Sequence, residues 1–227
     1  IEAYKLANKI TGCDYLILED KNKLSKFSCT DIVEVPGWTD SFPSINETYN
    51  EAQVLIVGTI PSDGGISKGI YYGSSKNGLW KILDEKYHKN NFEKNLSSGN
   101  IKAVQKSLEK EKLLFRDVIK WCKRPKNDAK DKDIISARHT TKEEFNELFD
   151  KHKDLNKVLC NSEEAFFRFL ILMGISFKWQ NLSKKDACLA KYIYCGREIN
   201  IVRVYSPSGI YYNQNDKKVS DDWKKNL

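Results

Sequence analysis

The sequence lacks any apolar run near the roughly 18–20 residues that crossing a bilayer requires, so no membrane segment is expected. The longest candidate, AFFRFLILMG at 165–174, is interrupted by Arg168 and reads as a core helix. The opening residues show no secretory pattern, and there is no internal repeat. No C-x-x-C pair occurs among Cys13, Cys29, Cys122, Cys160, Cys188 and Cys195, so neither a zinc nor an iron–sulfur site is expected. The even count permits three disulfides. Cys160, however, sits in the apolar stretch KVLC, where a buried free thiol in a reducing compartment is the simpler expectation. A phosphate cradle of the G-x-x-x-x-G-K-[ST] type is also missing, which excludes the commonest nucleoside triphosphate site. No cofactor is expected.

What is present is an ordinary globular composition. The 227 residues are 40% hydrophobic and 30% charged, enough for one sizeable domain with an addition. The net charge is +7, with the densest basic patch, KWCKRPK, at 120–126. Mixed cations and aromatics there fit nucleic acid or simply a solvated lysine-rich surface, and charge alone leaves both open.

The run Val54-Leu55-Ile56-Val57 is a short buried strand ended by Gly58. A loop rich in Gly, Ser and Pro follows, then Tyr71 and Tyr72, then a helix over 78–86. Residues 90–100 read as polar and turn-rich, 101–114 as a helix, 115–122 as a strand or loop edge and 123–133 as a charged connector. Thr141 and Glu144 form a capping box before a helix carrying Phe145, Leu148 and Phe149. A strand at 158–160 precedes a helix at 163–173, and strands at 191–195 and 198–204 join as a hairpin at Gly196-Arg197. The charged tail from Gln214 is expected to fray, apart from Trp223. Within 1–50, a helix at 2–10, strands at 14–19 and 30–35 and a loop at 37–43 are expected. This stretch is an extension or edge addition of unknown role, and 51–227 form the main domain. Strands separated by helices predict an α/β sandwich with a mostly parallel sheet.

If the strands are parallel, the loops after Gly58, before the 163–173 helix and at 205–209 meet on one rim, where open α/β sheets bind ligands. They bring Asn77, Asn161, Ser206 and Ser208, with two tyrosines beside them. Asparagine amides against an aromatic face suit a planar, hydrogen-bonding ligand such as a nucleobase. Asn161 also has a purely structural reading, heavier on spacing alone, as a helix N-cap. His139 invites a general acid–base role, but a lone histidine more often packs. Trp80 and Trp121 read as core or patch aromatics.

The segment GTIPSDGGISKGIYYGSSKNGLWKIL, at 58–83, resembles the first motif region of the uracil-DNA glycosylase superfamily. It is most similar to the DNA-deoxyinosine (hypoxanthine) glycosylase branch, which carries Y-Y-x-x-x-x-N-x-F-W. FRDV at 115–118 with Cys122 and Arg124, VLCNSEEA at 158–165 and SPSG at 206–209 are similar to later segments of that family. In order and spacing the resemblance covers roughly residues 52–210.

The resemblance implies a three-layer α/β/α sandwich and a monofunctional DNA glycosylase that flips a damaged or modified base, such as deoxyinosine or deoxyuracil, and hydrolyses its N-glycosidic bond. The place before Pro61, where many members carry a water-positioning Asn or Asp, holds Ile60. In the deoxyinosine branch that role falls to the Asn matched by Asn77. Asp63 is a second candidate for activating water. Gly58, Thr59, Ile60, Tyr72 and Asn161 would bind the base, with Asn161 pairing to its edge and Tyr72 walling the pocket. Ser62, Lys76, Ser206, Ser208, Gly209 and Ile210 would contact DNA, with Ile210 or Tyr211 as the wedge. Ser206 stands where uracil-specific enzymes have a histidine; losing such an anion-stabilising donor costs about 3–4 kcal/mol, which argues against uracil as the preferred base. DNA is the expected partner, and a cytoplasmic monomer is expected, nucleoid-associated if bacterial. Two alternatives remain: a non-catalytic module sensing a modified base or nucleotide on the same fold, and a hydrolase of free nucleosides.

Overall fold

Alternation within the first apolar run sets the layering. Val54 and Ile56 belong to one buried cluster while Leu55 and Val57 belong to another, so this strand must be covered on both faces. The computed structural model describes residues 32–36, 49–74, 77–88, 90–125, 134, 136–176 and 189–227; of 32–36, 63, 64, 125, 136 and 209–211 it describes the backbone alone. The strands are β1 (Ile32–Pro36), β2 (Val54–Gly58), β3 (Leu113–Asp117), β4 (Ile119–Pro125), β5 (Ser136–His139), β6 (Lys157–Cys160), β7 (Leu189–Tyr194) and β8 (Arg197–Arg203). The helices are α1 (Asp63–Lys68), α2 (Leu79–Tyr87), α3 (Phe92–Ser97), α4 (Ile101–Lys110), α5 (Lys142–Lys151), α6 (Glu163–Met173) and α7 (Gly209–Asn226).

A five-stranded sheet runs β3-β2-β6-β8-β7. The β2–β3, β2–β6 and β6–β8 pairs are parallel, and only β7 runs against its neighbour. Helices α5 and α6 cover one face through Phe145, Phe149, Phe166 and Phe169. The other face is covered by α2, α3, α4 and α7, through Trp80, Phe92, Val104, Leu108, Val219 and Trp223. The result is the expected three-layer α/β/α sandwich.

A second sheet, β1-β4-β5, is antiparallel, and the sequence did not suggest it. The chain passes from β3 to β4 through Val118, whose N–H donates to Gly58 O, and Ile119 N–H donates to Thr59 O. This sheet therefore grows out of the carboxyl end of the first one. Its strand β4 takes in Lys123 and Arg124, which the sequence reading gave to a connector.

Several local expectations need correction. The helix over 101–114 stops at Lys110; Lys112 turns at φ 57°, and Leu113 and Leu114 already belong to β3. Apolar residues at helical spacing continued straight into a buried strand, so periodicity could not find the boundary. Residues 90–100 contain α3, whose first N–H groups, on Phe92 and Glu93, donate to the Asp84 carboxylate at 2.6 and 3.0 Å. The tail does not fray: it forms α7, bent at Asn215 and pinned by Val219 and Trp223, both fully buried. The hairpin turn is Cys195-Gly196, one residue earlier than expected, with φ of 49° and 78°, the paired positive values that a two-residue hairpin favours. The Thr141–Glu144 capping box forms with both of its hydrogen bonds. Trp80 is a core residue, and Trp121 lies under the Lys123 ammonium, 5.5 Å from its ring centre.

Cys122 and Cys160 are buried free thiols and Cys195 an exposed one. Burial pushes the Cys160 thiol pKa far up, which makes it inert. Cys13, Cys29 and Cys188, the helix at 2–10 and the strand at 14–19 lie outside the described residues. Among the described residues, no helix is long and apolar enough to cross a membrane.

Candidate active site

Strand register builds the site. Gly58 is level with Asp117 of β3, and Val57 is level with Cys160 of β6, which puts Asn161 next on that side. The Asn161 N–H donates to Val57 O at 2.9 Å. Asp117, Gly58 and Asn161 therefore stand abreast at the carboxyl rim, at the ends of β3, β2 and β6, where the strand order reverses.

Gly58 is required there. A Cβ on it would lie 2.2 Å from Asp117 Oδ1 and 2.8 Å from the Tyr72 hydroxyl. Those two side chains occupy the space a side chain would fill. Tyr72 itself is held in the left-handed region, at φ 56°, a conformation that costs a non-glycine residue about 1–3 kcal/mol. Three contacts hold it: the Trp80 indole N–H donates to its carbonyl at 2.8 Å, its ring meets Phe115 edge-on, and the Asn161 amide donates to its hydroxyl at 2.9 Å.

The capping expectation for Asn161 is overturned. Ser162 is the N-cap of α6, its hydroxyl accepting the Ala165 N–H at 3.0 Å. The Asn161 amide is thereby left for the rim, bonded to Tyr72. Thr59, nearly fully buried, has its hydroxyl 3.4 Å from that of Ser162. Ile60 is half-buried against the core under α5 and α6.

Asn77 lies at the start of α2, where its Oδ1 accepts the Leu79 N–H at 2.9 Å. Its oxygen is committed to the helix end, and Nδ2 carries its donors. The following residue, Gly78, donates its N–H to Pro207 O at 2.9 Å. The Tyr212 ring sits 2.4–2.6 Å from where a Gly78 Cβ would be. These contacts stitch the first-motif loop to the late loop.

That late loop is short. Ser206 Oγ accepts the Ser208 N–H at 3.3 Å, and Ser208 is the N-cap of α7, so Gly209 and Ile210 begin a helix rather than extend a loop. The Tyr205 backbone is clamped by α7: its carbonyl accepts the Trp223 indole N–H at 2.7 Å, and its N–H donates to Asp222 Oδ2 at 2.8 Å. Ser62 is committed as the N-cap of α1, accepting the Gly65 N–H at 3.2 Å. Asp63 is the first residue of that helix. The side chains of Asp63, Ile210 and Tyr211, and all of Lys76, lie outside the described residues.

His139 is not a poised acid–base group. Its Nε2 meets Arg168 Nη1 at 2.6 Å, and burial, helped by the Arg168 charge, lowers its pKa to about 3. Among the described residues, no group of three or more His, Cys, Asp or Glu side chains is placed to hold a metal ion.

The sequence pattern of one family, described as "Uracil DNA glycosylase superfamily", matches residues 46–226. The chain belongs to the uracil DNA glycosylase superfamily. Membership places it among DNA repair glycosylases, with DNA as the macromolecule acted on. The chain is also similar to a hypoxanthine DNA glycosylase from Methanosarcina barkeri (strain Fusaro / DSM 804), with 29% identity over 127 residues, or 55% of this chain and 71% of the relative. Its fold is shared with the solution NMR structure of a Methanosarcina acetivorans protein named for uracil DNA glycosylase. The TM-score is 0.55 at 18% identity, over 85% of this chain and 96% of the other.

Within the superfamily frame, sequence reasoning gave no site role to Asp117, Ser162 or Gly78. The polar end of LLFRD beside the glycine end of VLIVG was a usable signal for Asp117, but only once β3 and β2 were known to be parallel neighbours.

Proposed function

We propose that this protein is a monofunctional DNA glycosylase acting on a flipped deoxyinosine, deoxyuracil or related base, with Asn77 orienting the water. The observation that carries this reading is the Asn161 amide, relieved of capping by Ser162 and presented beside Gly58 under the Tyr72 hydroxyl. An amide so held offers one acceptor and one donor to the edge of a planar base, and Tyr72 limits the base's bulk.

In the reaction the C1′–N bond breaks with its electron pair leaving on the base. The water oxygen bonds to C1′, and the water proton passes to the departing base or to solvent. Charge develops on an oxocarbenium-like sugar and an anionic base, so placed donors matter more than a strong base. With Oδ1 on Leu79 N–H, Asn77 would hold the water chiefly through Nδ2–H. The start of α7 at Ser208, an exposed residue on the same rim, supports a phosphate contact there, since helix N-termini favour anions. Ser206 is engaged with Ser208 and would act by shaping this turn.

The test is base release from duplex and single-stranded oligonucleotides carrying deoxyinosine, deoxyuridine or other modified bases, read by mass spectrometry and alkaline cleavage. Release of a free base with an abasic product is expected. Binding to such DNA with no release from any substrate would replace this reading with the sensing-module one.

A further inference from the structure

We propose that Asp117 is a positioning residue that decides which edge of a base the pocket reads, by accepting the Tyr72 hydroxyl proton and so fixing the flip of the Asn161 amide. The inference rests on the reading of Asn161 as the base-pairing group. Its geometric basis is the convergence over Gly58. Asp117 Oδ1 and the Tyr72 hydroxyl lie 2.2 and 2.8 Å from one and the same point, the Cβ position that Gly58 leaves empty. The two oxygens can be no farther apart than those lengths laid end to end. Asp117 is 2% exposed, so its carboxylate cannot turn to solvent for its hydrogen bonds. The buried Tyr71 phenol is near enough to feel its charge. That phenol's pKa is raised first by burial and then by the Asp117 charge, and the Arg116 charge acts the opposite way.

An ionised carboxylate accepts hydrogen bonds and never donates them. With the Tyr72 proton directed at Asp117, the Tyr72 oxygen must accept from its other neighbour. Asn161 meets that demand with Nδ2–H, at 2.9 Å. The amide is then locked, with its oxygen and its second N–H in fixed places. An amide in one flip state matches a lactam edge, H–N–C=O, as in hypoxanthine or uracil. The opposite flip matches an amidine edge, N=C–NH2, as in adenine or cytosine. In a pocket of fixed position the wrong edge sets donor against donor and acceptor against acceptor. The polarity of one hydroxyl thus separates deaminated bases from their normal parents, and Asp117 sets it from below.

The experiment compares release of hypoxanthine with that of adenine, and of uracil with that of cytosine, from otherwise identical oligonucleotides. In Asp117→Asn the side chain can donate to Tyr72, reverse its proton and permit the other flip. The lactam-to-amidine preference is expected to fall about tenfold to a hundredfold, the range that one bidentate base contact supplies. Tyr72→Phe removes the link and is expected to relax the preference similarly. The double variant should add little, because both changes break one chain. A purely structural role would lower both rates together, so an unchanged ratio in both single variants overturns the proposal. If Asp117→Asn does not fold, Tyr72→Phe alone decides. If the wild-type protein releases no base at all, the glycosylase reading fails separately. The affinities of the same oligonucleotides then carry the test: a deoxyinosine preference lost in the variants supports the relay, and its persistence refutes it.

Discussion

At the scale of single residues, two roles compete for one side chain at Asn77. Its Oδ1 accepts the Leu79 N–H at the start of α2, while the proposed chemistry needs its Nδ2 donors. The two can be separated. Asn77→Asp keeps a capping acceptor and adds a negative charge at the helix start, which the dipole favours. It is expected to retain thermal stability and lose base release by a factor of about a hundred or more, the cost of deleting one transition-state donor. Asn77→Ala should lose both release and about 1 kcal/mol of stability. Melting curves and single-turnover release measured on both variants check this. An Asn77→Ala protein with wild-type release rates would leave Asn77 as a cap and nothing more.

Among the elements, α7 does most to hold the late loop in place. Trp223 fills the core and its indole N–H clamps Tyr205 O, while Tyr212 lies against Gly78. Trp223→Ala is expected to cost about 3–5 kcal/mol from the cavity alone. Trp223→Phe keeps most of the volume and loses the hydrogen bond, at about 1 kcal/mol, and is expected to weaken DNA binding by loosening the turn before Ser206. Urea unfolding and fluorescence anisotropy with a duplex separate the two effects. Unchanged anisotropy in a folded Trp223→Phe protein would show that the clamp serves stability alone.

For the whole molecule, acid is the sensitive variable. His152 Nδ1 accepts the Ala52 N–H at 3.2 Å, and burial, then the Lys151 charge, lowers its pKa to about 4; that of His139 is about 3. An unfolded histidine titrates near 6.5. The unfolded chain therefore takes up protons below that pH before the native chain does. Stability contributed by these neutral rings is complete above about pH 6.5 and is lost as pH falls toward 4 and then 3, at about 1.4 kcal/mol per pH unit for each ring. His152→Asn keeps an acceptor for Ala52 and should flatten the slope of urea midpoint against pH across that window. An unaltered slope would assign acid sensitivity to other groups.

The sequence by itself determined the strand VLIV, the Thr141–Glu144 cap, the α/β class and the family, because each depends on residue order within a short window. Asn77, Asn161 and Tyr72 could be singled out, but not their partners. Tertiary structure decided that Ser162 rather than Asn161 caps α6, since either residue type could do so at that spacing. It also decided that Leu113 and Leu114 extend a strand, because helix and buried strand look alike over a few apolar residues. The second sheet and the packing of α7 rest on pairings between distant segments, which leave only a weak trace in any one of them. The same holds for the rim of the site. Asp117 and Asn161 are forty-four positions apart in the chain, and only the parallel register of β3, β2 and β6 sets them on either side of Gly58.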